Sequence, residues 1–387
     1  MSRETFGAAL RRLRGTRTVR AVAERSAISK TQISDLESGK RRPTAAVAEA
    51  LDNALDAGGE LIALAAVSPS LPAGEQAGRL QHAVADALTA AGPMTDAGAE
   101  DWEYTVTRHA RATRWRPEAD LLPDLTADLA DLQRILGHRH TAQVRRRLTT
   151  CLAQLAGLVA LTLLKAADPG ARDWWRTGRA AATAADDRAT LSWIYAQEAY
   201  QLFYNGDVVG ALEISNRAQY IAGGLPCAGP ALAAPLEARA HAVLGRPDRA
   251  AAALTAGQTA LARLSPDLQV SSALGYSPAN LHFHAGDTWT RLGDTDRARD
   301  QLHHALALYP ATDYTDRALI GLDLAACHTA DGNPDAAAAL AADTVAGLPP
   351  EHRSALITNR ARQVAATVPE GTARQALHRL LAHPPAE

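Results

Sequence analysis

Aromatic residues make up only 4% of this 387-residue chain, and it holds two methionines and three cysteines. Long alternating runs of β-branched residues are missing, which leaves no candidate sheet. Cys151, Cys227 and Cys327 are far apart and odd in number, with no CxxC pair. That excludes a disulfide framework and a paired-thiol zinc site, and predicts reduced thiols filling a core. No apolar signal-like run occurs near Met1. The longest apolar stretch, Cys151 to Leu164, is interrupted by Gln154 and is too short to span a bilayer. The expected setting is the cytoplasm, without membrane contact.

Catalytic patterns are equally scarce. There is no GxSxG, no GxxxxGK[ST] and no dinucleotide-binding glycine motif after a strand. The pairs His282/His284, His138/His140 and His303/His304 have spacings that a helix points to different faces, unlike HExxH or a Cys/His zinc set. Asp186–Asp187 and Glu100–Asp101 read as helix-end or surface acids. The expectation is a protein that is not an enzyme and uses neither metal nor cofactor.

What the chain has is alanine, leucine and an uneven charge. Ala and Leu lose little entropy in helices, so the composition predicts an all-α fold. Net charge is −2, yet residues 1–42 carry eleven Lys and Arg against four acids, leaving 29 basic against 38 acidic residues elsewhere. A basic head on an acidic body attracts phosphates at one end only. Within the head, Thr5, Thr18, Ser29 and Thr44 stand where they can cap four short helices. The apolar positions that follow are Phe6, Leu10 and Leu13; Val19, Val22 and Ala23; Ile33 and Leu36; and Val47, Ala50, Leu51 and Leu55. Gly39 can end the third helix, and Gly58–Gly59 break the fourth.

The segment VRAVAERSAISKTQISDLESGKRRP resembles the helix-turn-helix of the Cro/repressor-type (XRE) DNA-binding family. The resemblance rests on Ala23 and Ala27 as small residues at the helix contact and turn, on Ile28 and Ser29 as core residue and cap, and on Ile33, Leu36, Glu37 and Gly39. It covers about the first sixty residues. Val19 departs from the glutamine common at that position in the family. The resemblance implies that Ser29, Lys30, Thr31, Gln32, Ser34 and Asp35 face a major groove. Lys30 can donate to guanine, Gln32 can pair with adenine, and Thr31 can touch a thymine methyl or a phosphate. Asp35 can accept from cytosine or stay solvated. Lys40, Arg41 and Arg42 would meet the phosphates and fix register. Glu37 would pair with an arginine of the first helix, either Arg11 or Arg14.

Beyond a Pro/Gly-bearing stretch the chain reads as helix after helix. Gly286, Trp289, Gly293, Ala298, Leu302, Ala305 and Pro310 fall at offsets 0, 3, 7, 12, 16, 19 and 24, which resemble a tetratricopeptide (TPR) repeat. Weaker copies align on turns at Gly206, Gly245 and Gly332, spaced 39, 48 and 39 residues around Gly293. Serial helix–Gly turn–helix units predict a TPR-like α-solenoid. The expected domains are residues 1–66 (helix-turn-helix), 67–140 (linker and helical connecting region) and 141–387 (repeats).

A solenoid offers a concave face for a peptide, a helix or a small ligand. The candidate lining residues are Trp193, Tyr200, Tyr204, Asn216, Tyr220, Tyr276 and Asn280, with interhelix core as the other role open to the aromatics. These readings lead to a homodimeric, sequence-specific regulator that binds double-stranded DNA, its repeat body dimerising or sensing a peptide or small-molecule effector. The rival reading is a TPR scaffold with a degenerate head.

Overall fold

The computed structural model describes residues 4–41, 43–67, 84 and 93–382. Among these residues there are nineteen α-helices and no strand. The chain divides into two compact units, Met1–Ala90 and Ala91–Glu387.

The first unit contains α1 (Phe6–Arg14), α2 (Val19–Ser26), α3 (Lys30–Glu37), α4 (Ala45–Leu55) and α5 (Glu60–Val67). Each of the first four starts where a hydroxyl can cap it: Thr5, Thr18, Ser29 and Thr44 accept from the backbone N–H of Ala8, Ala21, Gln32 and Val47. Such caps are worth about 1 kcal/mol each. Leu10, Ile33, Leu36, Leu51 and Leu61 are fully buried together, each contributing roughly 1.5–3 kcal/mol. Gly7 lets α1 approach α3, because a Cβ there would lie 2.5 Å from the Leu36 carbonyl oxygen. On α4, Ala48 is buried and Ala50 only half-buried, which turns the helix slightly from its expected face. Buried Asp52 accepts from Gly59 N–H at 2.7 Å and Leu61 N–H at 2.8 Å, and so caps α5 from inside.

The second unit opens with α6 (Asp96–Ala112) and α7 (Glu118–Leu136), both packed on α8 (Ala142–Lys165). The helical part of the expected connecting region therefore lies inside this unit. Residues 68–83 and 85–92 fall outside the described residues. Trp115, an apolar residue just before α7, is 53% exposed. The helix α8 has 24 residues and is long and apolar enough by composition to cross a membrane, unlike the shorter stretch read from sequence. Within the unit 61% of its apolar window is buried, with Leu148, Cys151, Leu155, Leu158 and Val159 in the core.

Helix hairpins follow. The helix α9 (Ala171–Ala184) pairs with α8, α10 (Arg188–Tyr204) with α11 (Val208–Ala222), and α12 (Ala228–Val243) with α13 (Pro247–Ala262). Next, α14 (Pro278–Leu292) pairs with α15 (Thr295–Leu308), and α16 (Tyr314–Ala330) with α17 (Pro334–Ala346). The last two helices are α18 (Ala355–Thr367) and α19 (Thr372–Ala382). Gly206, Gly245, Gly293 and Gly332 all take positive φ at the hairpin turns, where L-residues are strained. At Gly286 a Cβ would lie 2.5 Å from Leu302, so glycine sets the closeness of α14 and α15.

The wider spacing between Gly245 and Gly293 comes from residues 263–277, between α13 and α14. That segment is anchored at Ala273. Its N–H donates to the Ala110 carbonyl (3.0 Å), and its own carbonyl accepts from Trp193 Nε1 (2.7 Å) and Gln197 Nε2 (3.2 Å). Two contacts tie the array's end to its beginning: α18 returns to touch α8, and Arg114 pairs with Asp316 at 2.7 Å.

Candidate nucleic-acid interface

The helices α2 and α3 are joined by Ala27, which adopts left-handed φ +57° and ψ 19°. A small residue there keeps the cost of that conformation low. The hydroxyl of Ser26 donates to the Val22 carbonyl (2.7 Å) and accepts from Ile28 N–H (3.3 Å), bracing the turn. Ile33 and Leu36 fasten α3 to the core. The opposite face is open: Ser29, Lys30, Thr31 and Ser34 are exposed, with Gln32 and Asp35 half-buried at its flanks. Lys40 and Arg41 are exposed beyond Gly39, where the Arg41 N–H donates back to the Asp35 carbonyl (3.1 Å). Arg42 lies outside the described residues.

Glu37 resolves the choice between Arg11 and Arg14. Arg14 takes both carboxylate oxygens, Nε to Oε1 at 2.5 Å and Nη2 to Oε2 at 3.1 Å, whereas Arg11 donates Nη2 to the Glu37 backbone carbonyl at 2.9 Å. Bidentate geometry makes the Arg14 pair the stronger one, and it pins α3 to α1.

Ion pairing reduces the basic surplus. Arg12 is held by Glu4 and Glu60, Arg20 by Glu24, and Arg25 by Asp56. Among the described residues, Arg17, Lys30, Lys40 and Arg41 are exposed and carry no side-chain partner. Arg17 immediately precedes Thr18, the cap of α2. Sequence reasoning passed over it, and its place just before a capped helix start was the available signal.

The seven residues expected on the concave face do not form one surface. Trp193 is buried, its indole N–H donating to Ala273. Tyr276 is fully buried, its hydroxyl 2.9 Å from His284 Nδ1; the Tyr200 hydroxyl lies 3.3 Å from the same nitrogen and donates to the Leu232 carbonyl at 3.2 Å. Burial, then the charge of Arg239, pushes the His284 imidazole well below its ordinary range, so it stays neutral. Buried Asn280 completes a capping box with Ser277 and donates Nδ2 to the Tyr309 hydroxyl (2.7 Å). These four are interhelix core, because each polar atom that could meet a ligand is already engaged. Asn216 and Tyr220 are exposed on α11, with Arg217 stacked over the Tyr220 ring. Tyr204 borders a cavity of about 410 Å³ that Arg239, Asp287 and Arg360 also line, and Tyr220 borders a separate, more open one beside Arg188 and Gln219.

No curated protein matches the chain. Among solved structures, the crystal structure of BtubC (BKLC) from P. vanneervenii is similar over 65% of this chain and 93% of that chain, at 19% identity and a TM-score of 0.41. Residues 5–65, the span from the cap of α1 into α5, match the family model of a helix-turn-helix domain.

Proposed function

We propose that the chain is a sequence-specific DNA-binding transcriptional regulator of the XRE type. Its TPR-like unit dimerises and responds to a small effector in the cytoplasm, and the protein acts by binding and not by catalysis. The observation that carries this reading is the open face of α3: Lys30, Thr31 and Ser34 exposed beside unpaired Lys40 and Arg41, where most other described cations of the first unit are ion-paired. Lys30 supplies a donor for guanine edges. Arg17, Lys40 and Arg41 supply phosphate contacts. The eight residues of α3 span only about 12 Å, enough for a few base pairs. Useful specificity then requires two half-sites about 34 Å apart, hence two copies of the chain.

The test is selection of duplexes from a random pool with the intact protein, followed by titrations of the selected site at several salt concentrations. Lys30→Ala should cost about 1–3 kcal/mol at the selected site and relax its sequence preference. Arg41→Ala should weaken binding to all duplexes and reduce the salt slope by about one. A folded protein that enriches no sequence at low salt would overturn the regulator reading and leave a scaffold.

A further inference from the structure

We propose that the larger unit contains a binding site for a small organic anion, a carboxylate or phosphate group carried on an apolar body, in the cavity bounded by α8, α10, α12, α14, α16 and α18. The cavity measures about 410 Å³, within the usual range of small-molecule sites. The first helix of each successive hairpin contributes to its wall, so it is the inner surface of the repeat array.

The wall carries three arginines, Arg239, Arg291 and Arg360, and three aspartates, Asp168, Asp287 and Asp323. Asp168 is exposed and accepts from the Gly170 N–H (2.7 Å), which leaves Asp287 and Asp323 to face the arginines. Arg239 donates Nε to Asp287 Oδ2 (2.5 Å) and Nη1 to the Tyr204 hydroxyl (3.3 Å). Arg291 donates Nε to the same Asp287 oxygen (2.8 Å). Arg360 donates Nε and Nη2 to Asp323 Oδ1 (2.9 and 2.6 Å). Two guanidinium groups thus share one carboxylate oxygen, and Arg239 Nη2 and both terminal nitrogens of Arg291 make no hydrogen bond among the described residues, although both groups lie over the Phe203 ring. Charge-assisted donors in a low-dielectric enclosure interact strongly with an anion and disfavour a cation. The remaining wall is apolar, with Phe203, Phe283, Leu164, Leu319 and Leu356. A smaller cavity of about 80 Å³ shares Leu164, Tyr204 and Phe283 with it and extends toward Arg114, which pairs with Asp316, and Lys165, which pairs with Glu118. This combination fits a charged head and an apolar tail, and it is unlike a surface built for a polymer.

All the lining residues belong to the larger unit, and none is a helix-turn-helix residue. It specifies the effector in the proposed function, yet binding is measured without DNA, so either idea can fail while the other stands. The probes for the full-length protein are 3-phenylpropionate against 3-phenylpropanamide, and phenyl phosphate against phenol, titrated by calorimetry. At least one anion should bind about tenfold or more tightly than its uncharged counterpart, and Arg291→Gln should remove about tenfold. Should R291Q unfold, the cavity rim supplies a second handle. Asn359 borders the cavity and is exposed, so its replacement leaves packing intact. Asn359→Asp should weaken the preferred anion severalfold and Asn359→Lys should tighten it. Equal binding of anion and neutral probe in both pairs overturns the proposal, as do equal affinities in N359D and N359K.

Discussion

Asp287→Asn tests the energetics of the charged wall most directly. Asp287 is 1% exposed and Arg239 is 3% exposed, so both lie out of water. The aspartate accepts two charge-assisted bonds, at 2.5 and 2.8 Å. Burial opposes its ionisation, but Arg239 and then Arg291 outweigh burial and hold its carboxyl far below the ordinary range. Asparagine keeps the shape and removes the charge, leaving Arg239 buried without its counter-ion. The expected loss is about 3–5 kcal/mol. All six tryptophans lie in Ala91–Glu387, so their fluorescence during urea unfolding reports on this unit alone. The carboxylate's contribution is complete above the unfolded value near 3.8 and is lost as pH falls below it. The gap between variant and wild type should therefore hold from about pH 5 to 8 and shrink in stronger acid. The companion variant Arg239→Met/Asp287→Leu removes both charges and should recover much of the loss. A loss under about 1 kcal/mol in D287N, or a double variant as unstable as the two single losses added, would refute this account.

Three further outcomes are expected. Gly286→Val places a branched side chain where even a Cβ would lie 2.5 Å from Leu302, and should cost about 1–3 kcal/mol in the same unfolding assay, partly restored by Leu302→Ala. Burial pushes the Cys151 thiol up to about 12 and also raises Cys227 and Cys327. Native protein at pH 8 should accordingly react with a thiol-disulfide reagent far more slowly than protein unfolded in urea. Burial pushes the Asp323 carboxyl up to about 6 against the pull of Arg360, with Asp287 adding to the rise and Arg291 opposing it. Protonation then removes a negative charge from a wall that also carries Arg239, so calorimetry with 3-phenylpropionate should show binding tightening as pH falls from about 7.5 to 5.5.

Much of the fold could be read from local chemistry. The hydroxyl caps, the positive-φ glycines and the small residues at hairpin contacts act over a few positions, so Ala298, Leu302 and Ala305 are buried where the repeat offsets put them. The open face of α3 was legible for the same reason: Ile33 and Leu36 face inward, and three residues of helical phase leave Lys30, Thr31 and Ser34 outside. Arg11 and Arg14 share a helix face at i, i+3, and only side-chain reach assigns the carboxylate to Arg14. The interior of the array was not legible. An arginine in an alanine-rich helix, such as Arg239 or Arg360, has no periodicity to distinguish it from a surface charge. The aromatics Trp193, Tyr200 and Tyr276 could be read as contact surface or as interhelix core, and the anchored segment around Ala273 and the neutral His284, which occupy their polar atoms, decide for core. These partners are eight to eighty-four residues distant in sequence, and no local pattern encodes them.

The pairing of Arg114 with Asp316, 202 residues apart, has a consequence for how such a protein can change. Open arrays gain or lose a unit at modest cost, since each unit touches only its neighbours. Here the far end meets the near end, at this ion pair and where α18 meets α8. An added hairpin would force those ends apart, and a deleted one would leave them short. The number of hairpins is therefore locked by geometry, and innovation in this body is confined to substitutions and to the lengths of its outward-facing connections.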